Sequence, residues 1–294
     1  MKTRVITAII MAIFGLPLLI FSNTPIYPVA AGILAAISVF EVLRVMGIQK
    51  KLLISIPSLI IAVPLPLFAD DFFHEWYPGG VGHFPHFTYF CIVLCVFFIY
   101  LLYLITVAVF TKGAVSVQTI GPVFISVFYV VASFTSLVIS RTLEGGAFTF
   151  LLAFICPWFS DMFAYFTGRL FGKHKLIPEI SPKKTVEGAI GGIIFGTAIA
   201  PIYGFVATLM PFGLTEGVVP NYIVLTVAGF ILSIVGQVGD LWASLIKRSY
   251  GAKDFSNIFP GHGGVLDRFD SVLACSTVLM IISAIFPPFT VTPV

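Results

Sequence analysis

"NYIVLTVAGFILSIVGQVGDLWASLIKR", residues 221–248, decides the architecture. It opens as an apolar run long enough for the roughly 20 residues that a helix needs to cross a bilayer. It closes on Lys247 and Arg248, the pattern of a span that ends at a cytoplasmic interface. One acid, Asp240, lies inside the run. A carboxylate at that depth is costly unless it is paired, binds a cation or faces water.

Outward from this segment the pattern recurs. The spans are 4–22, 27–47, 51–69, 86–110, 119–139, 148–167, 185–209, 221–245 and 269–289. The chain is 59% hydrophobic and 10% charged, with mean hydropathy +1.07, against about 25% charge in soluble domains. The runs are continuous and lack the alternating segments of about ten residues that mark a membrane β-barrel. The expected fold class is therefore all-α: a polytopic integral membrane protein of nine transmembrane helices. Residues 1–294 read as a single membrane domain, with 1–140 (spans one to five) as scaffold and 141–294 (spans six to nine) as catalytic helices and loops. The N-terminal "MKTRVITAIIMAIFGLPLLIFSN" reads as a retained first helix, because no small-residue cleavage site closely follows its apolar core.

Charge sets the orientation. With the N-terminus inside, fifteen of the sixteen Lys and Arg residues fall in cytoplasmic segments, and only Arg141 falls outside. That asymmetry predicts an N-in, C-out chain. Cys91, Cys95, Cys156 and Cys275 all lie within spans and read as small packing residues. His74, His83 and His86 share the 70–86 loop with Asp70, Asp71 and Glu75, which reads as a solvated loop. Pro57, Pro64 and Pro66 predict a kinked or broken third span. Glu41 and Arg44, at helical spacing, read as a local ion pair. Gly188, Gly192, Gly196, Ala200 and Gly204 recur every fourth residue in span seven, a stripe that lets another helix approach. It suits packing inside the bundle or the seam of a homodimer.

The polar residues concentrate at three cytoplasmic edges: 158–188, 236–248 and 260–270. One face of span eight presents Asp240, Ser244, Lys247 and Arg248. Asp161 lies at similar depth in span six, and Asp267 and Asp270 are three residues apart. Several carboxylates beside many cations suit a metal–phosphate site. Hard oxygen ligands favour Mg²⁺, which shares its shell with substrate phosphates, and Lys and Arg neutralise the rest. "PGHGG", 260–264, supplies backbone N–H groups that can approach an anion. "ISPKKT", 180–185, suggests Ser181 as a helix N-cap with Pro182 behind it, aiming Lys183 and Lys184 at the interface. There is no Walker A sequence, no kinase Gly-rich loop, no Gly-x-Ser-x-Gly elbow and no His-Glu-x-x-His.

Two sets of residues carry a resemblance. Ser244-x-x-Lys247-Arg248-x4-Lys253-Asp254, followed by Pro260-Gly261-His262-Gly263-Gly264-x-x-Asp267-Arg268-x-Asp270, is similar to the signature of the phosphatidate cytidylyltransferases (CDP-diacylglycerol synthases). Upstream, Asp161, Ala164-Tyr165, Gly168-Arg169, Phe171-Gly172-Lys173, Ser181 to Thr185 and Glu187-Gly188 also resemble that family. The resemblance covers residues 155–275 by motif and the rest by hydropathy. It implies transfer of the cytidylyl group of CTP to phosphatidic acid, giving CDP-diacylglycerol and pyrophosphate, with Mg²⁺ or Mg²⁺ and a second cation.

On that footing Asp240 and Asp267 are expected to hold the metal, with Asp161 and Asp270 as further ligands. Lys247, Arg248 and His262 join the aspartates as catalytic candidates. Ser244, Lys253, Asp254, Gly263, Gly264, Arg268, Lys183, Lys184 and Arg169 are the expected substrate contacts. CTP, phosphatidic acid and membrane lipids are the expected partners, with no nucleic acid. The expected setting is the bacterial inner membrane, with the site facing the cytoplasm. Rival readings are another CTP-dependent lipid-phosphate transferase or lipid kinase, and a transporter. Against the transporter, the charges sit at one edge and no internal repeat is present.

Overall fold

The structure is a computed structural model that describes residues 2–70, 86–111, 115–209 and 217–291. His74, His83, Asp71, Glu75, Lys112 and Glu216 lie outside the described residues, as do the side chains of His86, Lys2 and Arg4. Eleven helices are described: α1 Lys2–Ile20, α2 Ile26–Val45, α3 Leu52–Ala62, α4 Pro64–Leu67, α5 His86–Phe110, α6 Val117–Thr142, α7 Gly146–Thr149, α8 Leu152–Phe171, α9 Val186–Thr208, α10 Tyr222–Ser249 and α11 Leu266–Ile285. Among the described residues, seven helical stretches are long and apolar enough to cross a membrane. The two other expected spans are the 19-residue α1 and the broken α3–α4 stretch, Leu52–Leu67.

The fold is not purely helical. Two short antiparallel ribbons join it: β1 Lys175–Ile177 with β2 Ser181–Thr185, and β3 Val218–Pro220 with β4 Phe289–Val291.

The chain divides into two compact units, Met1–Val138 with Asp254–Asp267, and Ile139–Lys253 with Arg268–Val294. In the first, span three breaks at Val63, just before Pro64, while α3 runs on through Pro57. Pro57 has no N–H to offer Leu53 O, four residues back. Tyr103 Oη donates to that carbonyl instead, at 2.8 Å. The hydroxyl of Tyr89 reaches Leu65 O, and Ser58 Oγ and Tyr100 Oη share a hydrogen bond of 2.7 Å. Backbone groups freed inside a bilayer must find such partners. Gly32 of α2 allows the break to approach: a Cβ there would lie 2.8 Å from Val63 O. Phe97, Phe124 and Phe128 pack edge-on and stacked between α5 and α6.

In the second unit the glycine stripe of α9 packs against both α8 and α10. A Cβ on Gly188 would meet Ala164 O at 2.7 Å, and one on Gly192 would meet Ser160 O at 2.7 Å and Gln237 Nε2 at 2.9 Å. One on Gly196 would collide with Ser233 Oγ. The stripe is thus used inside the bundle. The start of α9 corrects the expectation for Ser181. Ser181–Thr185 is the strand β2, and the cap is Thr185, whose Oγ1 accepts the Gly188 N–H at 3.1 Å. Strand pairing with β1 holds Ser181 and Pro182 extended, so the helix begins four residues later.

Candidate active site

The functional side chains fall into two groups, one in each unit. The group in the unit formed by Ile139–Lys253 and Arg268–Val294 is built on three helices and a ribbon. Asp161 comes from α8, Asp240 from α10, Asp270 from α11, and Lys184 from β2. Lys184 Nζ lies 2.5 Å from Asp240 Oδ2, both side chains about a quarter exposed. Ser271 Oγ donates to Asp161 Oδ2 at 3.2 Å, while its N–H donates to Asp270 Oδ1 at 2.8 Å. The three carboxylates repel one another, Lys184 attracts Asp161, and Lys247 attracts Asp270. Lys247 is buried near the end of α10.

A polar brace lies beside these acids. Gln237 Nε2 donates to Ser160 Oγ and to Ala189 O, each at 3.1 Å. Gln237 precedes Asp240 by one turn, and Ser160 adjoins Asp161, so one amide ties together the helices that carry both acids. At the ribbon, Glu187 accepts from the N–H groups of Lys173 and His174 and pairs with His174 Nδ1 at 2.6 Å. This fixes the turn after α8 against the start of α9. Arg169, Lys183, Arg248, Lys253 and Arg268 are exposed, and Ser244 is half-buried. Arg248 Nη1 donates to Ala252 O at 3.0 Å, closing the end of α10.

The second group lies in the unit formed by Met1–Val138 and Asp254–Asp267. Asp267 is buried, and its Oδ2 accepts the N–H groups of Phe255 at 2.8 Å and Gly264 at 2.9 Å. Gly263 has φ +85°, a left-handed conformation that glycine adopts freely. Phe259 and Gly263 form an isolated bridge. His262 Nδ1 is buried without a hydrogen-bond partner among the described residues. Asp254 is exposed.

Glu41 corrects the sequence reading. Its carboxylate does not serve Arg44, which is exposed. It accepts Ser256 Oγ at 2.5 Å, Val265 N–H at 2.9 Å and Leu266 N–H at 2.8 Å. A carboxylate buried to 1% exposure needs such donors, and those at the first turn of α11 outbid water-facing Arg44. The signal was present: an acid inside a membrane span is by default a functional candidate. Gln237, Ser160 and Ser271 carry no comparable signal, because their partners on other helices are distant in sequence.

Among the described residues, no three His, Cys, Asp or Glu side chains form a protein-only metal cage. Asp161, Asp240 and Asp270 nonetheless offer only hard oxygen donors. That donor set fits Mg²⁺, which takes one or two carboxylates and completes its shell with water and substrate phosphates.

The chain is similar to known proteins. The sequence model of the Cytidylyltransferase family matches residues 2–286. A protein of Bacillus subtilis (strain 168) named phosphatidate cytidylyltransferase is 34% identical over 288 residues, 97% of this chain and 98% of that one. Proteins of the same name from Staphylococcus haemolyticus and Staphylococcus aureus (strain COL) are 36% and 35% identical, each over 93% of this chain and 95% of its own length. The match runs through both groups of polar residues and nearly the whole length of these relatives, so the chain belongs to the Cytidylyltransferase family.

Proposed function

We propose that the protein transfers the cytidylyl group of CTP to phosphatidic acid, producing CDP-diacylglycerol and pyrophosphate for phospholipid synthesis. The observation that carries this reading is the near full-length match to phosphatidate cytidylyltransferases. The grouping of Asp161, Asp240 and Asp270 with Lys184 and Lys247 supports it. An oxygen of the phosphatidate phosphate attacks the α-phosphorus of CTP. A phosphorus–oxygen bond forms there, and the bond to the β-phosphate oxygen breaks. Pyrophosphate leaves with the electron pair. The attacking oxygen is already anionic, so the protein's task is positioning and charge neutralisation.

One or two of Asp161, Asp240 and Asp270 would hold Mg²⁺, alone or with a second cation; when bound it neutralises phosphate charge. Asp267 spends Oδ2 on two backbone donors, so we assign it to bracing the Pro260–Gly264 loop. Lys184 orients Asp240, and Lys247 offsets the charge of Asp270. Arg248, Lys253 and Arg268 are exposed cations suited to phosphate, and Lys183 and Arg169 are suited to the lipid headgroup. Ser244, Asp254, His262, Gly263 and Gly264 are assigned to substrate on the strength of the family signature they belong to.

Nine spans, with the N-terminus inside and the site facing the cytoplasm of a bacterial inner membrane, fit the sidedness of the cations. Among the described residues, seven helical stretches are long and apolar enough to cross a membrane, and the nine-span reading adds α1 and Leu52–Leu67 to them. The test is incubation of purified protein with cytidine-labelled CTP and phosphatidic acid in mixed micelles. Label is expected in CDP-diacylglycerol, with pyrophosphate released in equal amount. Label in another lipid, or phosphate transfer without the cytidine, would overturn the reading.

A further inference from the structure

Glu41 lies 120 residues before Asp161, the first residue of the family motifs, in a helix of mostly apolar residues. Three donors converge on its carboxylate, and all belong to 256–266. Ser256 Oγ and Val265 N–H share Oε1; Leu266 N–H takes Oε2. Val265 and Leu266 are the entry to α11, where the first-turn N–H groups have no partner within the helix. Glu41 supplies that partner from outside and ties the two ends of the 256–266 segment to one side chain. Asp267 closes the same segment from within, through Phe255 and Gly264.

The glycine pair adds an independent constraint. A Cβ on Gly264 would overlap the Glu41 carboxylate on all three of its atoms. Gly264 has no positive φ, so backbone conformation does not demand glycine there. The approach of Glu41 does.

We infer that Glu41 is a positioning residue for the reaction: through Ser256, Val265 and Leu266 it sets the conformation of the loop that carries Asp254 and His262. This rests on the cytidylyl-transfer reading for its kinetic consequences and on geometry alone for the clamp. A glutamine at 41 has one acceptor oxygen, and its NH₂ would face at least one of the three donors. An aspartate is shorter by one methylene and withdraws from Gly264.

The test compares wild type with Glu41→Gln, Gly264→Ala and the double variant Glu41→Asp/Gly264→Ala, each quantified as folded protein by size exclusion. Two readouts are taken. Hydrogen exchange should show faster exchange at the Val265 and Leu266 amides in Glu41→Gln, with α8 to α10 unchanged. Steady-state kinetics should show the apparent KM for CTP raised, or kcat lowered, by about tenfold, the scale of one buried hydrogen bond lost, with the KM for phosphatidic acid unmoved. Gly264→Ala should lose more activity than the double variant, because the shorter acid makes room for the methyl group. Wild-type kinetic constants in Glu41→Gln per folded molecule, with only yield or melting temperature reduced, would overturn the positioning role. Unchanged exchange at Val265 and Leu266 would overturn the clamp. If wild-type protein itself shows no cytidylyl transfer, the functional reading fails, and the exchange result alone decides whether Glu41 clamps the loop.

Discussion

Lys184 Nζ meets Asp240 Oδ2 at 2.5 Å, joining a ribbon strand to the penultimate turns of a membrane helix. The pair explains how an acid is tolerated there. It also sets Lys184 apart from its neighbour Lys183, which is exposed. Asp240→Asn keeps size and removes charge, and turnover should fall by about two orders of magnitude or more, the scale of lost electrostatic stabilisation. Lys184→Met should also lower kcat, and the double variant should lose less than the product of the single losses, because the two groups act on one another. Initial rates in mixed micelles measure this; strictly multiplicative losses would show that the pair has no functional coupling.

The two aspartates of "DRFD" should separate. Asp270→Asn should abolish turnover while the protein still purifies, since Asp270 belongs to the acid group with Asp161 and Asp240. Asp267→Ala strips acceptors from Phe255 and Gly264 and should cost about 1–3 kcal/mol of stability. Thermal melts in detergent beside activity assays distinguish them. A stable but inactive Asp267→Ala would return Asp267 to the metal ligands.

Substrate preference should split along the exposed cations. Lys183→Ala is expected to raise the KM for phosphatidic acid, measured as surface concentration, because it sits before α9 at the membrane edge. Lys253→Ala, in the aqueous connection after α10, should raise the KM for CTP. Equal shifts in both constants for both variants would remove the distinction.

The glycine stripe predicts a graded stability series. Gly192→Ala puts a methyl group within 3 Å of Ser160 O and Gln237 Nε2 and should cost about 1–3 kcal/mol through overpacking. Gly15→Ala in α1 meets no atom within 4 Å beyond its own helix backbone and chain neighbours and should be neutral or gain up to about 1 kcal/mol from helix propensity. Melting temperatures of the two variants in the same detergent check the contrast.

Sidedness is open to labelling. On a background with Cys91, Cys95, Cys156 and Cys275 replaced, a cysteine at exposed Asn257 should react with a membrane-impermeant maleimide only from the cytoplasmic face. A cysteine at Glu216 should react only from outside. Both sites reacting from one side would break the nine-span order.

Much of this protein is legible in its sequence because its rules are local. Apolar run length gave the long helices, Pro64 gave the break in span three, and the spacing from Ser244 to Asp270 gave the family. These depend on how each segment meets a bilayer or on residues a few positions apart. What the tertiary structure alone decided is which distant groups meet. Lys184 pairs with Asp240, Gln237 holds Ser160, Ser271 serves both Asp161 and Asp270, and Glu41 abandons Arg44, three residues away, for N–H groups 224 and 225 residues along the chain. Ser181 yielded its expected cap to Thr185 for the same reason, once β1 paired with β2. A buried polar group takes whichever partner packing brings within hydrogen-bond distance, because leaving it unpaired costs more than any local preference supplies, and that choice is made by the folded neighbours.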